Sequence, residues 1–227
     1  MQKLLCATIA LLCAAVLQAQ EEEKDVTKFL GIPVDGYKPA MIEKLKAKGF
    51  TRSTWDKDAL EGEFNGTDVN VYIVTNNNKV WRIMLADKAP RGETDIKIRF
   101  NKLCRQFRNN PRYTPMTDKE QTIPDNEDIS YEITVKDKRY EAGFYQTPDS
   151  IAIYNESKKS LLSKYTQEQL DNPTEEISKV IQIQYISNKI NYRLNKKVWF
   201  MIAEHAGKYY ICMYYDNKYN EADGEDL

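Results

Sequence analysis

The chain has 227 residues, with 33 Lys or Arg against 34 Asp or Glu, and 41% of the residues are apolar. The formal net charge of −1 offers no general attraction for nucleic acid or for an anionic membrane surface. Because of this charge balance, we expect the protein to bind no nucleic acid. The apolar share is large enough for a buried core, so we expect a globular protein.

Residues 1–20 have the organisation of a cleavable secretory signal. An early lysine is followed by an apolar run from Leu4 to Leu17, and small residues then lead to Ala19. The run is shorter than the roughly 20 residues that a membrane-spanning helix needs. Leucine precedes both Cys6 and Cys13, which does not fit the acceptor site of a lipoprotein. We predict export to the periplasm or the medium, cleavage near Ala19 and no membrane span.

The first part of the mature chain, residues 21–110, predicts the element order α-βββ-α. Pro39 fits the first turn of a short helix that stops at Gly49. Alternating apolar residues then predict three strands joined by turns at Asn65-Gly66 and at 76–78. A second helix is predicted by apolar residues at i, i+4, i+7 and i+11, which are Ile96, Phe100, Leu103 and Phe107.

Residues 111–126 contain three prolines and predict an irregular connector between two halves. The half that follows, residues 127–220, predicts the order ββ-α-ββ. Alternation over 129–135 and again over 140–144 indicates a hairpin, whereas residues 147–173 show little pattern.

The end of the chain predicts a helix, a hairpin and a frayed tail. Residues 177–186 fit both a helical and a strand period, and the capping residue Thr174 favours the helix. A last hairpin follows over 198–215, and the acidic tail 221–227 is expected to fray. Adjacent strands interrupted by helices predict an α+β fold with antiparallel sheet.

A resemblance is carried by three stretches, FLGIPVDGYKPAMIEKLKAKGF, GEFNGTDVNVYIVTNNNKVWRIMLAD and GKYYICMYYDNKYNEADGEDL. They resemble exported hypothetical proteins of unknown function from Bacteroides-type bacteria, and the likeness covers most of the mature chain. It implies a bacterial source and a periplasmic or secreted location, and it transfers no functional residue. The chain is also similar, in fold alone, to β-lactamase-inhibitor-like envelope proteins, although it lacks the acceptor cysteine of the small lipoproteins of that class.

Two cysteines remain after signal removal, Cys104 and Cys212. In an oxidising compartment they can pair as a disulfide. Alternatively, both are buried thiols that act as small apolar side chains. The sequence leaves the two possibilities open.

The sequence contains no recognisable catalytic, metal or cofactor site. His205 is the single histidine, and it lies in a predicted turn beside Glu204, where we expect a solvated side chain. One histidine and two distant cysteines do not make a transition-metal site, and no G-x-S-x-G motif presents a nucleophile. Enzymatic activity therefore stays undecided, and the pattern favours its absence.

Aromatic residues crowd the last hairpin and supply the candidate ligand- or partner-binding residues, which are Trp199, Tyr209, Tyr210, Tyr214, Tyr215 and Tyr219. Strand alternation divides them between two faces, of which one packs on a helix and the other forms an exposed platform or merely stabilises the hairpin. We expect a non-catalytic envelope module that binds a protein, peptide or glycan. The alternatives are a secreted hydrolase of glycan or peptide and a self-associating structural component, and the oligomeric state stays open.

Overall fold

A computed structural model of the chain describes residues 25–222; the predicted signal, residues 1–20, and the last part of the predicted acidic tail lie outside the described residues. The described strands are, in chain order, β1 Lys28–Phe29, β2 Ile32–Pro33, β3 Thr51–Arg52, β4 Ala59–Phe64, β5 Thr67–Asn76, β6 Lys79–Asp87, β7 Tyr113–Pro115, β8 Glu141–Gln146, β9 Lys196–His205 and β10 Lys208–Asn217.

The described α-helices are α1 Lys38–Lys46, α2 Glu93–Arg108, α3 Ile129–Lys136, α4 Ser150–Ser160, α5 Gln167–Asp171 and α6 Glu175–Asn195. Short 3-10 helices follow α4 and β10, at Leu161–Ser163 and Lys218–Asn220. Strands β1 and β2 form a hairpin of their own, and the other strands form one eight-stranded antiparallel sheet in the order β3-β4-β5-β6-β10-β9-β8-β7, called here the main sheet. The predicted α+β class with antiparallel sheet is confirmed.

The main sheet takes strands from both sides of residues 111–126. Strand β6 pairs with β10, so the two predicted halves share one continuous ladder. The predicted connector packs against α2: the side chain of Asn101 donates to the carbonyl of Ile123 and accepts from its N–H, each at 2.8 Å, and Ile123 is buried. These two hydrogen bonds hold the second part of the connector against α2.

One predicted strand is wrong, because residues 129–135 form helix α3. Asp128 caps this helix by accepting a hydrogen bond from the N–H of Tyr131. Ile129 is fully buried, whereas Tyr131 and Val135 are 50% and 63% exposed. The burial therefore follows a helix face rather than the alternation of a strand, and β8 pairs with β9 and β7 instead of with this segment.

The poorly patterned region 147–173 also becomes helical, as α4 and α5. Their starts are fixed by side-chain caps, Asp149 for α4 and Thr166 for α5. The predicted helix at 177–186 is confirmed within α6, which packs on α4 around a small apolar cluster of Leu161, Leu170 and Ile181.

The main hydrophobic core lies on one face of the main sheet, where α1, α2 and α3 cover it. Strand residues such as Ile83, Phe200 and Met213 point into this core. On the opposite face, side chains such as Tyr72 and Trp199 stay partly exposed, and neither apolar cluster within residues 25–222 includes them. We call this second face the open face.

Candidate functional site

The aromatic residues of the last hairpin are divided between the two faces of the main sheet. Tyr209 and Tyr215 are buried in the core. The alternating positions Trp199, Tyr210 and Tyr214 lie on the open face and are partly exposed. Tyr219, the sixth predicted residue, lies beyond the sheet in the 3-10 helix Lys218–Asn220. A ligand on the main sheet can therefore contact the open-face positions, whereas Tyr219, which is 36% exposed, is accessible only beyond the sheet.

Trp199 and Tyr214 form a stacked pair at the centre of the open face. They are directly opposite each other in the ladder between β9 and β10. Their ring centroids are 4.1 Å apart, with an interplanar angle of 17°. The indole Nε1–H donates to Asp216 Oδ2 at 2.8 Å, so the ring is held by a hydrogen bond as well as by the stack. The indole is thereby fixed in one orientation.

Arg82 ties this pair to the neighbouring strand β6. Its guanidinium donates from Nε and Nη2 to the two oxygens of Asp216, at 2.6 and 2.9 Å. The guanidinium carbon also lies 4.2 Å from the ring centroid of Trp81 and 4.9 Å from that of Tyr214. These five residues, Trp81, Arg82, Trp199, Tyr214 and Asp216, are called here the Trp199 cluster.

The charges of the Trp199 cluster are balanced internally. Arg82 and Asp216 are a bidentate pair whose side chains are 21% and 9% exposed. Burial raises the pKa of the Tyr214 hydroxyl, which also contacts the thiol of Cys212, while Arg82 acts in the opposite direction. The tyrosine is consequently neutral at physiological pH, and the cluster presents aromatic surface rather than a free base.

A cavity of about 440 Å³ lies beside Trp199, on the side of the ring toward β8. Gly143 is opposite Trp199 in the ladder between β8 and β9, so no side chain from β8 fills this position. The Met116 side chain passes over Gly143, and its Sδ is 2.4 Å from where a Cβ on that residue would stand. A larger residue at 143 would therefore displace the Met116 side chain, which lines the cavity. We call this space the Trp199 cavity.

Polar groups converge on the Trp199 cavity from three segments. Lys197 and Glu141 line it from β9 and β8, and Arg139 lines it from the chain just before β8. Gln121 lines it from the segment after β7, and its Oε1 accepts a hydrogen bond from the N–H of Gly143 at 2.8 Å. The volume of this cavity is within the range of ligand sites, and its lining combines one aromatic ring, Trp199, with several polar groups.

The two cysteines are free, buried and on opposite faces of the main sheet. Cys104 belongs to the core, where burial raises the pKa of its thiol to about 12. Cys212 is opposite Ala86 and Met201 in the ladders and shares the open face with Tyr214. The sheet therefore lies between the two thiols. This arrangement agrees with two buried free thiols and not with a disulfide.

Other candidate groups for chemistry are separate from the Trp199 cluster. His205 is exposed at the end of β9. Glu61 is bonded by Ser53 and by Lys88, and the hydrogen bond from Lys88 lowers the pKa of its carboxyl. Within residues 25–222, no group of three or more His, Cys, Asp or Glu side chains is arranged to hold a metal ion. In the same residues, no helix has the length and apolarity needed to cross a membrane.

Comparisons of the chain with protein-family models, with curated proteins and with solved structures give no match. The likeness to exported Bacteroides-type proteins and to the β-lactamase-inhibitor-like fold stays a prediction. The function has to be argued from the site itself.

Sequence reasoning found Trp199 and Tyr214 but missed their partners. Arg82 and Asp216 are 134 positions apart, and only the pairing of β6 with β10 brings them together. A usable signal was present in strand alternation, because Arg82 and Asp216 each adjoin a core residue of their strand, Ile83 and Tyr215, and are therefore expected on the open face.

Proposed function

We propose that this chain is an exported, non-catalytic binding module, and that its ligand lies on the open face across the Trp199 cluster and the Trp199 cavity. The export part of the proposal is supported by the signal-like residues 1–20. The binding part is supported by one observation above all: an aromatic cluster that is fully bonded within itself, yet partly exposed, stands beside an open cavity.

The geometry suits binding because the rings are already ordered before a ligand arrives. Trp199 is held by Tyr214 on one side and by Asp216 at its Nε1, so little side-chain entropy is lost on association. Large, rigid aromatic side chains of this kind are common anchors of binding surfaces. The hydrolase alternative has less support, because glycoside hydrolysis ordinarily uses two carboxylates. Among the described residues that line the cavity, Glu141 supplies a single one.

The proposal is tested by screening the mature protein against arrays of glycans and of peptides. Trp199→Ala should lose the signal of any ligand that the wild type binds. Trp55→Ala is the matched control, because Trp55 is 93% exposed in the turn between β3 and β4, about 19 Å away across four strand spacings. Ligands that bind the Trp199→Ala protein as well as the wild type would contradict the proposal.

Self-association is the second candidate function, and one observation on α6 favours it. Four aliphatic side chains at spacings of three and four residues are 48–69% exposed and form a stripe along this helix, namely Ile183, Ile186, Ile190 and Leu194. Such a stripe is typical of a helix that packs against a partner helix. Sedimentation velocity of the wild type and of Ile190→Lys tests this candidate, which requires a dimer that the substitution dissociates. A monomeric wild type would eliminate it.

A further inference from the structure

From Ile183 to its end, helix α6 has the reverse of the usual arrangement of a surface helix. Its side toward α4 is held by polar contacts: Gln184 Nε2 donates to Asn188 Oδ1, and Asn188 Nδ2 donates to Ser157 Oγ, each at 3.0 Å. A surface helix normally turns its apolar side to the protein and its polar side to water. Here the side away from α4 is aliphatic and 48–69% exposed, and we call its residues the α6 stripe: Ile183, Ile186, Ile190 and Leu194.

The α6 stripe is long enough to be an interaction surface of its own. From Ile183 to Leu194 the helix rises about 17 Å, and each of the four side chains keeps about half or more of its surface accessible. Contiguous exposed apolar surface of this kind marks contact sites for proteins or membranes. The charges beside the stripe decide between these two partners.

The charge on this helix is positive although the chain as a whole carries −1. Residues 177–195 contain three basic side chains, Lys179, Lys189 and Arg193, and no acidic one. Lys179 is paired with Glu175 in the first turn of the helix. Lys189 and Arg193 instead lie over tyrosine rings, at 5.7 and 5.1 Å from the ring centroids. A second copy of α6 would bring like charges together, whereas an anionic surface would attract them.

The start of the described chain lies beside the C-terminal end of α6. Asp25 Oδ1 accepts a hydrogen bond from Lys196 Nζ at 2.7 Å, one residue after the helix ends. The apolar run of the predicted signal ends at Leu17, eight residues before Asp25, which is at most about 29 Å of extended chain. While the signal is attached in the membrane, this end of α6 therefore stays within that distance of the lipid.

We propose that the α6 stripe binds the surface of an anionic phospholipid bilayer, with the helix axis parallel to the surface. The four aliphatic side chains enter the boundary between headgroups and acyl chains, and Lys189 and Arg193 contact lipid phosphates from the flank. This inference goes beyond the proposed ligand site, because it uses a different surface, and it rests only on the export part of the proposed function.

The test is flotation of the mature protein with vesicles of phosphatidylcholine alone and of phosphatidylcholine with about one third phosphatidylglycerol. At low salt, the partition coefficient for the anionic vesicles should exceed that for the neutral vesicles by about tenfold or more. This advantage should shrink as the salt concentration rises, because salt screens exposed charges. If the protein does not partition into anionic vesicles, or partitions equally into both kinds, the inference is wrong.

Two pairs of variants locate the contact. Ile190→Ser should lower the partition coefficient about fivefold, whereas Ile98→Ser on α2 is the matched control, since the two side chains are 53% and 59% exposed. Lys189→Gln should lower it about fivefold on anionic vesicles alone, with Lys102→Gln on α2 as its control. Thermal unfolding checks that all four variants fold. An Ile190→Ser protein that partitions like the wild type would overturn the inference.

The remaining measurements separate this inference from the other proposals. Sedimentation velocity without vesicles should give a monomer; a dimer that Ile190→Ser dissociates overturns the inference, because a second copy then covers the stripe. Trp199→Ala should float with anionic vesicles as the wild type does, and a loss of flotation would place the contact on the open face instead. Failure of flotation leaves the array test of the Trp199 cavity unaffected, and failure of the array test leaves flotation unaffected.

Discussion

The two faces of the main sheet use aromatic residues in opposite ways. On the core face, Phe200 packs on Phe107 and Phe144 with centroids 5.7 and 6.2 Å away, and it is completely buried. On the open face, its neighbour in sequence, Trp199, is partly exposed and stacks on Tyr214. Adjacent positions of a single strand thus belong to two different environments.

The difference lies in what holds the rings. The core rings touch other apolar groups, so their order comes from burial and close packing. The open-face rings are instead held by Arg82 and Asp216, through a bidentate ion pair and the indole hydrogen bond. A polar framework of this kind orders an aromatic side chain without covering it. Exposure and rigidity, which usually exclude each other, are combined there.

The largest expected effect comes from removing a ring on the core face. Phe200→Ala should lower the free energy of unfolding by about 3–5 kcal/mol, because it deletes a fully buried ring and leaves a cavity. Urea denaturation followed by circular dichroism measures this loss. A loss below 1 kcal/mol would mean that this face is not the core of the fold.

The thiol of the core face should make stability depend on alkaline pH. Burial raises the pKa of Cys104 from 9.0 to about 12, so the folded chain holds this proton more tightly than the unfolded chain does. Its contribution is therefore complete below pH 9 and is lost as the pH rises from 9 to 12, by up to about 4 kcal/mol. Urea unfolding at pH 8, 9 and 10 measures the slope.

Cys104→Ala isolates this contribution, because the variant should show a shallower fall of stability between pH 9 and pH 10 than the wild type. Cys212, whose pKa burial also raises, accounts for part of the slope that remains. Identical slopes in the two proteins would contradict the assignment to Cys104.

On the open face, the largest effect should follow from changing Asp216. Asp216→Asn weakens the ion pair with Arg82 and the acceptor of the Trp199 Nε1–H. We expect the free energy of unfolding to fall by about 2 kcal/mol. This loss is smaller than for a fully buried pair, because the Arg82 side chain is 21% exposed. Glu141→Gln, at a side chain that is 56% exposed, is the control and should change stability by less than about 0.5 kcal/mol. A red shift of tryptophan emission in Asp216→Asn alone would show that the indole has lost its support.

Much of this contrast between the faces was predictable from the sequence. Period-two alternation in β4, β5, β6, β9 and β10 assigns residues to one face or the other, and turn residues such as Asn65-Gly66, both at positive φ, fix the register of a hairpin. The helical period of α2 and the capping residue Thr174 of α6 were equally clear. These are local signals, which the chain carries within a few residues.

Two features of the structure could not be predicted from these local signals. Residues 129–135 alternate like a strand, and the decisive competitor is Asp128, whose side chain caps a helix and lets Ile129 face the core. The Trp199 site depends on tertiary pairing: Gly143, with the Met116 side chain over it, lies opposite Trp199 only because β8 pairs with β9 across the whole excursion that contains α4, α5 and α6. Sequence periodicity does not encode which strands become neighbours.

The smallest expected effect on stability is that of Trp199→Ala, which removes the stacked pair with Tyr214 and one hydrogen bond from a partly exposed position. We expect a loss of about 1 kcal/mol, the magnitude of a cross-strand aromatic pair, since Asp216 keeps its bidentate partner Arg82. The same urea titration used for Phe200→Ala measures it, so two adjacent residues are compared under identical conditions. A loss as large as that of Phe200→Ala would make the open face a second core, and the Trp199 cluster would then be structural. If Trp199→Ala instead causes a small loss of stability and a complete loss of ligand signal, the two faces have different roles. The core ring of Phe200 is then required for folding, and the open-face ring of Trp199 is required for binding.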